Sequence, residues 1–140
     1  MKTTRFGIEI EFTGITRRKA ADVAAAFFGG TVTHGVGYDR YTTKDASGRT
    51  WSFMRDGSIV PMRREHGRKV GACDDYKVEL VTPILTYEQD MDTLQELILD
   101  RFPRERLEVS SLWMTSAAFS QIGRTEADGH SSPAQIRFRS

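Results

Sequence analysis

Residues Arg5-Phe6-Gly7-Ile8-Glu9-Ile10-Glu11-Phe12 alternate bulky apolar side chains with glycine and glutamate. The alternation predicts a β-strand with Phe6, Ile8, Ile10 and Phe12 on one face and Gly7, Glu9 and Glu11 on the other. An apolar row that continuous needs a core behind it. The two carboxylates on the opposite face repel each other, and a cation or a basic group must compensate them. Gly7 leaves that face without a side chain, which makes room for something to approach. The competing reading is a half-buried strand whose outer face is simply solvated.

The elements that must position these carboxylates fit in one domain. A chain of 140 residues has the size of an ordinary domain, with 39% hydrophobic and 28% charged residues and a formal net charge of +1. That near-neutrality argues against binding nucleic acid over the whole surface, though a local basic patch stays open. Cys73 is the only cysteine, so neither an internal disulfide nor a multi-thiolate zinc site is available. No apolar run approaches a membrane span and the N-terminus has no signal-peptide core, so the cytoplasm is the expected location and no membrane partner is expected.

Along the chain, Ala20, Val23, Ala24 and Phe27 recur at helical spacing. Thr16 can cap the start of that helix, and Gly29-Gly30 ends it. Thr31-Val32-Thr33 reads as a short strand. From Tyr38 to Met54 the pattern predicts a hairpin that turns at Asp45-Ala46-Ser47-Gly48, with Trp51, Phe53 and Met54 in the core on its return. Asp56-Gly57-Ser58 reads as a turn. Pro61 to Asp75 reads as a polar loop carrying Arg63, Arg64, Arg68 and Lys69, with Lys77 at its edge. Tyr76 to Thr82 reads as a strand, Thr86 to Gln89 as a capping box, and Met91, Leu94, Leu97 and Ile98 as the inner stripe of a helix to about Arg101. His34, His66 and His130 have no metal-ligand spacing, and Cys73 sits in a polar loop; none of the four is expected to do chemistry. The order of elements predicts an α+β fold with a mostly antiparallel sheet and flanking helices.

Three motifs then occur in order: Gly7-Ile8-Glu9-Ile10-Glu11-Phe12, Trp51 followed by Arg55-Asp56-Gly57-Ser58-Ile59, and Lys77-Val78-Glu79-Leu80-Val81-Thr82-Pro83-Ile84-Leu85. Together they resemble the amidoligase family, whose members show a G-(I/L)-E-(I/L)-E-F opening, a W…D-G-S-(I/L) hairpin and an E-(I/L)-V-T-P-(I/L)-L strand. The resemblance covers residues 5 to about 100. It implies an ATP- and magnesium-dependent carboxylate–amine ligase, with the N-terminal half of a glutamine-synthetase-like fold. Glu9, Glu11 and Glu79 match the family's acidic strand residues and are expected to hold Mg2+ and serve catalysis. Asp56 and Ser58 match the turn at the substrate end.

These residue types suit the implied chemistry. A carboxylate is a poor electrophile, so ATP first converts it to an acyl phosphate, which the amine then attacks. Moving the γ-phosphoryl group calls for hard divalent cations on phosphate oxygens. Glutamates at i and i+2 stand roughly 7 Å apart at the backbone and can serve one ion or two neighbouring ones. Arg63 and Arg64, in the basic loop, are the local supply of positive charge for the substrate's phosphates, although a charge run in a loop is more often a solvated surface. Lys77 lies on the face of Glu79 and offers a competing ion pair. The expected partners are ATP and small-molecule or peptide carboxylates and amines.

After Arg101 the resemblance ends. Family members continue with a segment like C-G-(L/I)-H-V-H, which is absent here. Residues 1–101 are therefore read as a partial amidoligase-like domain and 102–140 as a divergent tail, poorly ordered or translated out of the family's frame. Leu107 to Phe119 admit codons whose shifted frame contains Cys-Gly-Ile, and the gene sequence decides that point. Little ligase turnover is expected from this chain alone, with a protein partner as one way of completing the site. The alternatives are an inactive nucleotide- or partner-binding module of the same fold, or a small RNA- or phosphate-binding domain using the basic loop.

Overall fold

The computed structural model describes residues 5–37 and 39–102, together with the backbone of Glu108–Met114 and Ile136–Phe138. The fold is α+β. In chain order the elements are β1 (Arg5–Phe6), β2 (Ile8–Thr13), α1 (Arg17–Phe28), β3 (Thr33–His34), β4 (Tyr41–Lys44) and β5 (Thr50–Met54). They continue with β6 (Met62–Glu65), β7 (Arg68–Gly71), a 3-10 turn (Asp74–Tyr76), β8 (Val78–Val81) and β9 (Leu85–Thr86). Then come α2 (Tyr87–Gln95), a π-helical segment (Glu96–Arg101), β10 (Glu108–Met114) and β11 (Ile136–Phe138).

Five strands run antiparallel in the order β3-β4-β5-β8-β2, and β10 and then β11 extend the sheet beyond β2. β10 is antiparallel to β2 and β11 parallel to β10. β1 pairs with β9 and β6 with β7 as separate two-stranded ribbons. The expectation of a poorly ordered or out-of-frame tail falls, apart from these two backbone strands, outside the described residues.

Alternation sets the faces. Phe6, Ile8, Ile10 and Phe12 are all buried, joined by Trp51, Phe53, Val78 and Leu80 from neighbouring strands. α1 covers this face, lying against β4 and β5 and touching the π-helical segment. Its alanines Ala20, Ala21 and Ala24 are fully buried, which lets the helix backbone approach the sheet closely. Thr16 accepts a hydrogen bond from the Lys19 amide at 3.2 Å, and Gly29 ends the helix at φ 74°, a left-handed conformation that costs glycine little. Phe102 closes the core against Phe12, with ring centroids 5.6 Å apart.

Several sequence expectations need correction. The segment Pro61 to Asp75 is not a loop: β6 and β7 form a hairpin turning at His66-Gly67, and a 3-10 turn follows. Met54 is half-buried on the face opposite Trp51 and Phe53, because the pleat alternates. Thr86 makes no side-chain cap; instead Asp90 reaches back to the Thr86 amide at 2.7 Å, one residue beyond the expected Gln89. The second helix is α-helical only to Gln95 before it widens into a π-helical turn.

A candidate metal centre on the open face of the sheet

Register decides which acidic side chains meet. Glu11 lies directly opposite Glu79 in the β2–β8 pair, and Met54 lies opposite Glu79 in the β5–β8 pair. Residues directly opposite share a face, so Glu9, Glu11 and Glu79 all stand on the face away from α1. The chain then leaves β5 and turns at Asp56, which returns a third carboxylate to the same place. One carboxylate oxygen from each of Glu11, Asp56 and Glu79 lies within 4.8 Å of the others, and all three residues are half-buried.

Glu9 stands one pleat repeat farther along β2, opposite Val81, and is not part of this trio. Ser58 is close by: its amide and hydroxyl both donate to Asp56 Oδ1, at 2.9 and 2.8 Å. These bonds make a compact Asx turn that aims the Asp56 carboxylate. The Ser58 amide is the main reason the Asp56 carboxyl is held below the usual carboxylate range. Burial opposes this, while the Ser58 hydroxyl, a hydrogen bond from Glu11 and the Arg55 charge add to it.

Arg63 and Arg64 sit elsewhere, on β6. Arg63 pairs with Glu65 at 3.3 Å, and Arg64 Nη1 lies 3.5 Å from the Gly67 carbonyl oxygen. Their hairpin is rooted at the end of β2: the Met62 amide donates to Thr13 Oγ1 at 2.8 Å and the Gly14 amide to the Met62 carbonyl at 2.9 Å. The basic ribbon is thus tethered to the strand that bears Glu11.

Further charged residues gather at this end of the sheet, among them Asp74 and Arg17, which the sequence did not single out. Arg55 Nε donates to Asp74 Oδ2 at 2.6 Å, and Lys77 Nζ lies 3.3 Å from Asp74 Oδ1. Lys77 is therefore engaged by Asp74, not held for Glu79 alone. Arg55 above all, opposed by desolvation and reinforced by Lys77, lowers the Asp74 carboxyl to about 2. Beneath them Arg17, 2% exposed at its side chain, donates to the carbonyls of Asp74 and Lys77 at 2.8 and 3.0 Å. Nothing in Thr16-Arg17-Arg18-Lys19 marks Arg17 as the buried member of its basic run. His34 is exposed, 3.0 Å from Asp39 Oδ1 and stacked on Tyr41, and Cys73 is exposed. Neither belongs to the trio.

The donor set is three carboxylates with no imidazole or thiolate. Such a set suits a hard divalent cation such as Mg2+ that takes oxygen ligands and keeps part of its water. The carboxylates come from the segments that carry the three sequence motifs. Residues 2–102 match the family model described as "Putative amidoligase enzyme". The chain belongs to the amidoligase family. Neither a curated protein nor a solved structure matches this family member. Among its described residues, no helix is long and apolar enough to cross a membrane.

Proposed function

We propose that this amidoligase-family chain provides the site of an ATP-dependent carboxylate–amine ligase, with Glu11, Asp56 and Glu79 holding Mg2+. The observation that carries the reading is the convergence of those three carboxylates, from β2, the turn after β5, and β8, within 4.8 Å. Bound there, Mg2+ would neutralise phosphate oxygens and so favour phosphoryl transfer.

The chain's own groups would do the rest. In this reading the β2–β8 face away from α1 serves as the floor of a trough like that of the glutamine-synthetase-like ligases, and Ser58 fixes the direction of Asp56. Glu9 faces the same trough one repeat away, where it can serve a second ion or the substrate. Arg63 and Arg64 extend from the tethered hairpin as a screen for substrate anions. In the reaction, a carboxylate oxygen attacks the γ-phosphorus and ADP leaves. The amine then attacks the acyl carbon, phosphate departs, and the ammonium proton passes to solvent or a neighbouring carboxylate.

Titration of the purified chain with Mg2+ and a non-hydrolysable ATP analogue tests this reading. Binding should require the cation and fall at least tenfold in Glu11→Gln and in Glu79→Gln, given the strength of charged hydrogen bonds and metal contacts. Amine-dependent release of ADP then separates a working ligase from a binding module. Cation-independent nucleotide binding, or binding untouched by both substitutions, would refute the assignment.

A further inference from the structure

Building on the ligase reading, we infer that Arg55 is the phosphate-binding arginine of this site and that Asp74 is the latch that competes for it. Arg55 follows β5 directly, between Met54, which is paired with Glu79, and Asp56, a member of the carboxylate trio. Its guanidinium lies over the turn that shapes the site: Nη1 is 3.5 Å from where a Cβ on Gly57 would stand. The guanidinium thus stands close to the turn that carries Asp56 of the carboxylate trio.

Asp74 engages Arg55 through Nε alone, at 2.6 Å. Among the described residues neither Nη1 nor Nη2 has a hydrogen-bond acceptor, and the Arg55 side chain is 41% exposed. A guanidinium with its forked pair of donors free beside a carboxylate–cation site matches the oxygens of a phosphate group. The other arginines resolved near this end are committed differently. Arg17 is buried on carbonyls and carboxylates, and Arg63 is paired with Glu65.

Asp74 is held in place to act as a latch. Asp74 sits on a 3-10 turn whose carbonyls at Asp74 and Lys77 are clamped by Arg17, so its carboxylate is a fixed mooring point and not a wandering surface group. Lys77 shares that carboxylate and remains to satisfy it when Arg55 turns toward a ligand. The exchange swaps one anion, Asp74, for another, a phosphate, on a partly exposed side chain. It involves no buried charge left unpaired.

The test is calorimetric titration of the full chain with ADP and with a non-hydrolysable ATP analogue, each with Mg2+, alongside Mn2+ alone followed by electron paramagnetic resonance. Arg55→Gln should weaken both nucleotides about 10- to 100-fold while leaving Mn2+ affinity within about twofold. Arg55→Lys should recover only part of the loss, because a point charge lacks the fork. Asp74→Asn should tighten nucleotide binding, the opposite sign, since the competitor is gone. A purely structural Arg55–Asp74 pair predicts the same sign for both substitutions, and that result would overturn the inference. Wild-type nucleotide affinity in Arg55→Gln, with Glu79→Gln still abolishing binding, would remove Arg55 alone. Absence of magnesium-dependent nucleotide binding in the unaltered chain would take down the ligase reading and this inference together.

Discussion

Replacing Arg17 with methionine removes a buried guanidinium and keeps the stem's packing volume. The structure allows the cost to be worked through. Nη1 donates to the Asp74 and Lys77 carbonyls, and Nη2 to Asp39 and Asp75 at 3.0 and 3.3 Å. Asp39 and Asp75 are 50% and 66% exposed, so water replaces Arg17 there at little cost. The two carbonyl bonds are the ones that matter, at about 1.5–3 kcal/mol each for a charged donor. Against them stands Arg17 Nε, buried with no acceptor among the described residues, a penalty of about 1–3 kcal/mol that methionine relieves. The net expectation for Arg17→Met is a loss of about 2–4 kcal/mol. Urea unfolding followed by tryptophan fluorescence reads it directly. With a slope of about 1.5 kcal/mol per molar for a domain of this size, the midpoint should fall by about 1.3–2.7 M. Asp39→Asn should cost only a minor fraction of this. A midpoint within about 0.3 M of the unaltered chain, or an Asp39→Asn loss as large as that of Arg17→Met, would refute the reasoning.

Two other expectations are more compact. Ser58→Ala removes the hydroxyl that holds Asp56 Oδ1 at 2.8 Å, and it should lower Mn2+ or Mg2+ affinity about 10-fold with the urea midpoint nearly unmoved; an unchanged affinity would separate Asp56 from the metal. Acid should loosen the knot that joins the β4–β5 turn to α2. Burial pushes the Asp45 carboxyl up, but Trp51 Nε1–H, the Arg49 amide and charge and the Ser47 amide outweigh it and hold it low. Asp90 is held low chiefly by Arg49, which it grips with both oxygens at 2.9 Å. Groups whose folded pKa is lowered stabilise fully above their unfolded value, and that contribution is lost as pH falls through the folded value. Urea midpoints should therefore hold steady above about pH 5 and drop below about pH 4, less steeply in Asp45→Asn. A flat profile down to pH 3 would exclude the knot as a source of stability.

Much of the scaffold was legible in the chain because it rests on short periods and local chemistry. The two-residue alternation from Phe6 to Phe12 specifies a strand with one buried face, and all four apolar residues are buried. Thr16, Gly29 and the Asp45–Gly48 turn act on their own neighbours within a few residues, through bonds visible in the spacing. The β6–β7 hairpin left no such signature. Arg63, Arg64, Arg68 and Lys69 show no apolar alternation, and the ribbon is held by backbone pairing and by its root at Thr13 and Gly14.

The sequence by itself determined that Glu9 and Glu11 share a strand face and that Glu79 and Asp56 belong to motifs of the same family. Which carboxylates meet was decided only by tertiary structure. A strand pattern states a face but not a register, and a one-residue slip of β8 would have sent Glu79 to the opposite side. The register opposes Glu79 to Glu11, and the turn after β5 brings in Asp56, while Glu9 remains one repeat away from the trio. Arg17 and Arg55 make the same point for charge. The sequence gives neither a burial state, and only the packing around the Asp74–Tyr76 turn buries Arg17 and leaves Arg55 partly exposed on Asp74.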